Sequence, residues 1–377
     1  MSTSIAVAGG RASPAADWSG SLAAALNAAY VVNPRMIAGG DMSDETGQLM
    51  IDGRTTAQTE LGQLTLAPRF TLTRYEHDTD LNREEGSLAV NFKEKRERGQ
   101  WTFDGIASTD STVTSELGTT GITYVNLRHN SGLAELGYEY FSTERLSWLL
   151  QVAGQIVRYE DAEKFGLTNY DYGSVQLGPT WSFSERVQGS LTLEADRLKP
   201  QSGTRQNDYS ASAELRRNFS ERYSWRVSIG GSRTEYGSTA STASSSSSSV
   251  QYEVGTTFKG ERLTWDLSAK RAVLPIGIGL LAPQTVAALA LVANTSERST
   301  LTLSFNGIRT DAVFVSNYSL YGGATWGQAG LEWRHNFTTH WVFTVGYQQG
   351  RSRANTETEW ANGKQARVGI AWDSAQL

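Results

Sequence analysis

Residues able to do chemistry are plentiful in this chain, but their spacing does not gather them into a reactive centre. There are four histidines, His77, His129, His335 and His340, and no cysteine. No two histidines stand at a metal-ligand spacing, and without thiols there is neither a disulfide framework nor a thiolate metal site. Glu135 with Glu139, and Glu194 with Asp196, could be paired as acid and base. On one face of one strand, a solvated wall is the simpler reading of such pairs. No nucleophile elbow and no phosphate-cradling loop occurs. The expectation is a protein that is not an enzyme, with no cofactor and no metal. A hydrolase of lipase or protease type, built from the abundant Ser and Asp residues, is the rival reading.

The elements that must position these residues are set by a repeat. Phe141-Ser142-Thr143-Glu144-Arg145 is followed by Phe183-Ser184-Glu185-Arg186 and Phe219-Ser220-Glu221-Arg222. Phe258-Lys259-Gly260-Glu261-Arg262, Thr295-Ser296-Glu297-Arg298 and Phe337-Thr338-Thr339-His340 continue the series. The first residues of these units step by 42, 36, 39, 37 and 42. A period near 40 calls for a repeat architecture. The flanks alternate apolar and polar, the period of a strand. Each copy therefore reads as a tight turn between two long antiparallel strands.

Taken in order, the chain yields eighteen such strands, with sixteen as the alternative count. Residues 1–17 are rich in Ala, Gly and Ser and lack a complete signal peptide's basic and apolar regions. They read as a flexible segment ahead of one barrel domain, 18–377. The weakest strand patterns lie at 18–30, 100–108 and 285–293. Residues 122–127 could extend a strand, 238–249 read as a flexible Ser-rich tract, and 274–283 form an apolar loop unlike its polar neighbours. Short turns alternate with long loops, so all the short connections fall on one rim together with both ends of the strand array. No run of about 18 apolar residues exists to cross a membrane as a helix. The pattern predicts an all-β fold instead: a transmembrane antiparallel up-and-down β-barrel, whose strands meet lipid with every second residue.

The face bearing Leu, Val, Trp and Tyr is nearly free of charge and is expected to face lipid. Phe141, Trp148, Trp181, Phe183, Phe219, Trp225, Phe258, Trp265 and Trp341 would form an aromatic girdle near the short turns. The opposite face supplies the candidate lumen lining. Its acids include Glu135, Glu139, Glu194, Asp196, Glu214, Glu253, Asp266 and Glu332. Its bases include Arg54, Arg69, Arg216, Arg226, Arg334 and Arg367. The two signs nearly balance, which argues against strong ion selectivity and suits neutral or weakly charged, hydroxyl-rich solutes. The net charge of −5, with both signs interspersed, gives no footprint for nucleic acid.

The repeated Phe-Ser-Glu-Arg hairpins, the alternating strands and the polar-loop rim resemble the outer-membrane β-barrel porins of exopolysaccharide and capsule operons in Gram-negative bacteria. The likeness runs from about Trp18 to the C-terminus, although residues follow the last aromatic, Trp372, where such barrels tend to end on one. The resemblance implies a bacterial outer-membrane location and a channel passing polysaccharide or oligosaccharide. It implies outer-membrane lipid, saccharide cargo and periplasmic export partners as the partners, and carries no catalytic residues. A non-conducting surface scaffold or adhesin is the remaining alternative, with the apolar segment 274–282 as its plug.

Overall fold

The computed structural model describes residues 16–116, 120, 126–237, 244–315 and 318–374. Five strands lead the chain: β1 (Asp17–Val32), β2 (Ser43–Gln58), β3 (Gly62–Tyr75), β4 (Arg83–Arg96) and β5 (Gly99–Ser111). A single helical turn, α1 (Thr112–Ser115), precedes β6 (Arg128–Phe141), β7 (Leu146–Tyr159), β8 (Tyr170–Ser184) and β9 (Val187–Pro200). Then come β10 (Gln206–Asn218), β11 (Tyr223–Tyr236), β12 (Ser245–Lys259), β13 (Leu263–Ile276), β14 (Leu280–Ser296) and β15 (Ser299–Thr310). A small hairpin, β16 (Val313–Val315) and β17 (Tyr318–Tyr321), leads to β18 (Ala324–Asn336), β19 (Trp341–Ala354) and β20 (Ala361–Asp373).

Eighteen of these strands form one sheet, in which every strand pairs antiparallel with its chain neighbour. Pairing of β1 with β20, from Ala23 opposite Asp373 to Val32 opposite Lys364, closes it. Closure removes the sheet edges that would otherwise be left unpaired in lipid. Turns at one rim, such as 97–98, 185–186 and 297–298, are short, whereas 33–42, 112–127 and 311–323 at the other are long. This is the architecture of a bacterial outer-membrane barrel, and the protein belongs to that membrane.

The recurring hydroxyl has a local cause. Ser220 Oγ accepts from the backbone N–H groups of Arg222 and Tyr223, at 3.3 and 3.1 Å. Thr143 does the same for Arg145 and Leu146 (3.2 and 3.1 Å), and Thr338 for His340 and Trp341 (3.2 and 3.1 Å). Each hydroxyl thus satisfies turn N–H groups that the ladder cannot reach.

Register fixes the two faces. Leu177, Leu193 and Ala211 stand opposite one another across β8, β9 and β10, on the parity that leaves large apolar side chains exposed. Leu193 is 63% exposed and Ile229 66%. Apolar surface this extensive is lipid-facing. The girdle near the short turns includes Trp101 against Tyr138, with ring centroids 4.4 Å apart, and Phe258 against Trp265 at 6.2 Å. Phe141 departs from the expected girdle. It pairs with Ser147 on the polar parity and lines a lumen-side recess with Glu139 and Arg216. Pro68, opposite Leu88, interrupts the β2–β3 ladder near Gly53, whose missing side chain leaves room for the ring.

Segment 273–283 is not a loop. Strands β13 and β14 run through it and pair from Val273–Pro283 to Ile276–Leu280, leaving 277–279 as the turn. Apolar residues there would be poorly solvated as a free loop, and pairing satisfies their backbone. The Ser-rich tract likewise becomes strand from Ser245, paired with Tyr236 of β11; residues 238–243 lie outside the described residues, as do 122–125.

Candidate transport site: the lumen and its inward-folded mouth

The tip of the β13–β14 hairpin crosses the barrel mouth rather than standing above it. Val273 and Leu281 are buried with Val157, Tyr159, Leu167, Tyr170 and Leu198, which belong to the β7–β9 wall and the loop within it. Gln206 at the start of β10 donates to Gly279 O at 2.9 Å and accepts from Leu281 N–H at 2.8 Å. Tyr236 donates to Leu281 O at 3.2 Å. The wall strands joined in this way lie three to seven places from β14 in the sheet. Contact between them requires a path through the lumen, which makes the parity of Leu198, Gln206 and Tyr236 the inner one. Ile276 is 1% and Leu281 0% exposed. Full burial of two such side chains contributes roughly 3–6 kcal/mol, enough to hold the tip inward.

Two other mouth segments meet it. Glu116, after α1, is buried and accepts from Tyr159 Oη at 2.5 Å. A side chain at Gly277 would come within 2.5 Å of that carboxylate, so the hairpin tip and Glu116 are in close apposition. Tyr321 of the β16–β17 hairpin donates to Thr120 O at 3.4 Å, and Val313 packs with Ile276 and Ala282. Arg35 in loop 33–42 bridges to Asp80 in loop 76–82 at 2.5 Å, and Asn126 donates to Asp80 O at 2.7 Å. The Arg35 hydrogen bond holds the Asp80 carboxyl below the usual carboxylate range. The mouth is therefore cross-tied from several sides.

Below it, the candidate lining residues fall into pairs and singles. Arg69 meets Asp52 at 2.5 Å, Arg226 meets Glu253 at 2.5 Å, and Arg216 meets Glu214 at 3.2 Å. Arg367 pairs with Glu332. Glu139 accepts from Ser147 and Asp266 from Thr257, both at 2.6 Å. Glu194 stands within electrostatic reach of Lys270 on β13, and Asp196 lies beside it and Tyr172. Glu135 is opposite Asp104, Arg54 opposite Ser21, and Arg334 between Thr300 and Thr344. All share the inner parity. The histidines are scattered: His77 contacts Asp44 at 3.1 Å, His129 contacts Asp110 at 2.6 Å, His335 bonds Ser299 at 2.9 Å, and His340 bonds Asp373 O at 2.9 Å.

Two features leave no mark in the local sequence pattern. A chamber of about 350 Å³ lies between loop 33–42, Val113 of α1 and the inner wall of β1–β3 and β18–β20. Six carboxamides line it, those of Asn27, Asn33, Gln48, Gln328, Gln348 and Gln365, with Trp326, Tyr75 and Arg367. Gln48 bonds Thr73 at 3.3 Å, and Gln328 bonds Gln348 at 3.3 Å. Neutral donors and acceptors beside an aromatic ring can bind hydroxyl groups without selecting charge. The second feature is a row Ala67, Ala89, Ile106 and Leu133, paired strand to strand across β3–β6 on the inner face. It faces Val286, Ala288, Ala290 and Val292 of β14, on the far side of the strand order.

No family model and no curated protein matches the sequence. Solved structures similar to it include the outer membrane protein OprD from Pseudomonas aeruginosa, at 11% identity and TM-score 0.44, covering 96% of this chain and 94% of that one. Pseudomonas aeruginosa OccK2 (OpdF) is similar at 11% identity and TM-score 0.46, covering 95% of this chain and 98% of that one. The FrpB iron transporter from Neisseria meningitidis is similar at 7% identity and TM-score 0.45, covering 93% and 82%. With so little sequence shared, the architecture rests on this chain's own strand pairing.

Proposed function

We propose that the barrel is an outer-membrane channel for neutral or weakly charged, hydroxyl-rich solutes, with oligosaccharide as its cargo. The observation that carries this reading is the carboxamide chamber beneath the mouth. Its amides offer hydrogen bonds of both polarities, and Trp326 offers a ring for the C–H face of a sugar. The paired inner charges support weak discrimination between ions. The facing apolar strips and the charged walls between them suit a solute with both C–H and hydroxyl faces. The candidate acids and bases line the path in this reading. Gating belongs to the inward hairpin, and a periplasmic export partner would dock on the short-turn rim. The cross-tied mouth favours one rival, a non-conducting surface scaffold.

Swelling of liposomes containing the barrel tests the proposal. Entry of a neutral trisaccharide should be measurable, and Gln328→Leu with Gln348→Leu should slow it several-fold while leaving the entry of a small zwitterion such as glycine unchanged. Equal slowing of both solutes would reduce the chamber to a structural element. No swelling with either solute, before substitution, would favour the scaffold.

A further inference from the structure

We infer that the outer wall near the long-loop rim holds a binding site for a phosphate-bearing lipid of the adjoining leaflet, built on β15 and β18–β20. Two independent observations meet there. The first is a groove of about 580 Å³ on the lipid-facing side. Its floor is the paired row Ala287, Gly307 and Gly327, with Phe305 and Ala329 along its lower edge. A side chain added at Gly327 would meet nothing nearer than 3.7 Å, so the groove is open space rather than a packing defect. Its width and lining fit an acyl chain.

The second observation is charge. Arg351, opposite Gly327, and Lys364, opposite Gln349, stand on the lipid-facing parity beside the groove. Arg353 sits two residues higher on the same face of β19, its guanidinium 4.7 Å from the Trp360 ring. Among the described residues, none of these three has an ion-pair partner; Glu357 and Glu359 in the adjacent loop do not pair with them. Elsewhere on the outer rim, arginines are often neutralised: Arg74 by Glu84 and Arg158 by Asp171, both at 2.6 Å. Unpaired cations directly above an apolar groove complement a lipid with a phosphorylated head. An arginine fork can hold two phosphate oxygens at once. A second copy of this chain is a poorer occupant, since its matching face would bring the same cations together.

Native mass spectrometry of the full barrel in detergent, with a bis-phosphorylated glycolipid as probe, tests the site. Wild type should retain the lipid, and inorganic phosphate alone should neither bind nor displace it. A cation near a membrane surface is worth about fivefold in binding, from ~1 kcal/mol each at 1.4 kcal/mol per tenfold. Arg351→Gln with Lys364→Gln should therefore weaken retention by about 25-fold on that scale. Gly327→Leu fills the groove without changing charge and should also weaken it. Arg197→Gln with Lys199→Gln removes two outward cations on β9, remote from the groove, and should leave retention unchanged. Heat-dependent gel mobility identifies variants that still form the barrel, and Gly327→Leu provides a second route if the double variant does not. Equal loss from the β9 pair, displacement by phosphate alone, or a lipid-free dimer lost in the variants would overturn the site.

Discussion

At the residue scale, the facing rule makes a direct claim about Leu193 and Thr192. Leu193 is exposed on the outer parity, whereas Thr192 shares the inner parity with Glu194. A Leu193→Arg substitution places a charge against hydrocarbon and should cost roughly 2–4 kcal/mol near the midplane, while Thr192→Arg should cost little. Refolding yield into lipid vesicles measures this, and equal yields would reverse the assignment. Ser220→Ala removes the acceptor for two turn N–H groups and should lower stability by about 0.5–1.5 kcal/mol in urea unfolding from lipid. The sequence displayed that hydroxyl as a repeat but not its bond. His77 carries a pH dependence. Its hydrogen bond to Asp44 raises the imidazole above its ordinary value of 6.5. A group raised on folding adds stability that is complete below the unfolded value and is lost as pH rises through the folded one. An NMR titration of His77 should accordingly give a midpoint above that of free histidine. A midpoint at or below it would mean that the Asp44 contact is absent in solution.

At the element scale, the β13–β14 hairpin separates what sequence could reveal from what it could not. Its apolar composition marked it as unsuited to water. Its extended pairing and inward course depend on partners such as Gln206, Tyr236 and Leu198, which come from other parts of the wall. Phe141 begins a repeat and so reads as a girdle residue in the sequence, but its ladder partner Ser147 puts it in the lumen. The carboxamide chamber was hidden for a topological reason. Asn27 and Gln48 are near the start of the chain and Gln328, Gln348 and Gln365 near its end, and only β1–β20 closure makes them neighbours. Gly277 gives the element its own test. A Gly277→Val side chain would collide with the Glu116 carboxylate, so it should displace the hairpin tip and raise proteolytic cleavage at 274–282. Unchanged cleavage would mean that the tip is not held against Glu116.

At the scale of the whole molecule, alternation and turn parity carried the architecture. Eighteen strands, one lipid-facing parity and one rim of short turns follow from patterns repeated along the chain. In the proposed reading the barrel is a channel whose mouth is narrowed by its own loops. Single-channel recording in planar bilayers, comparing the full chain with one lacking 274–282, tests it most directly. Small steps with little preference between K⁺ and Cl⁻ are expected for the full chain, and larger steps of the same weak selectivity after the deletion. A barrel that stays silent after the deletion, across several lipids and voltages, would contradict the channel.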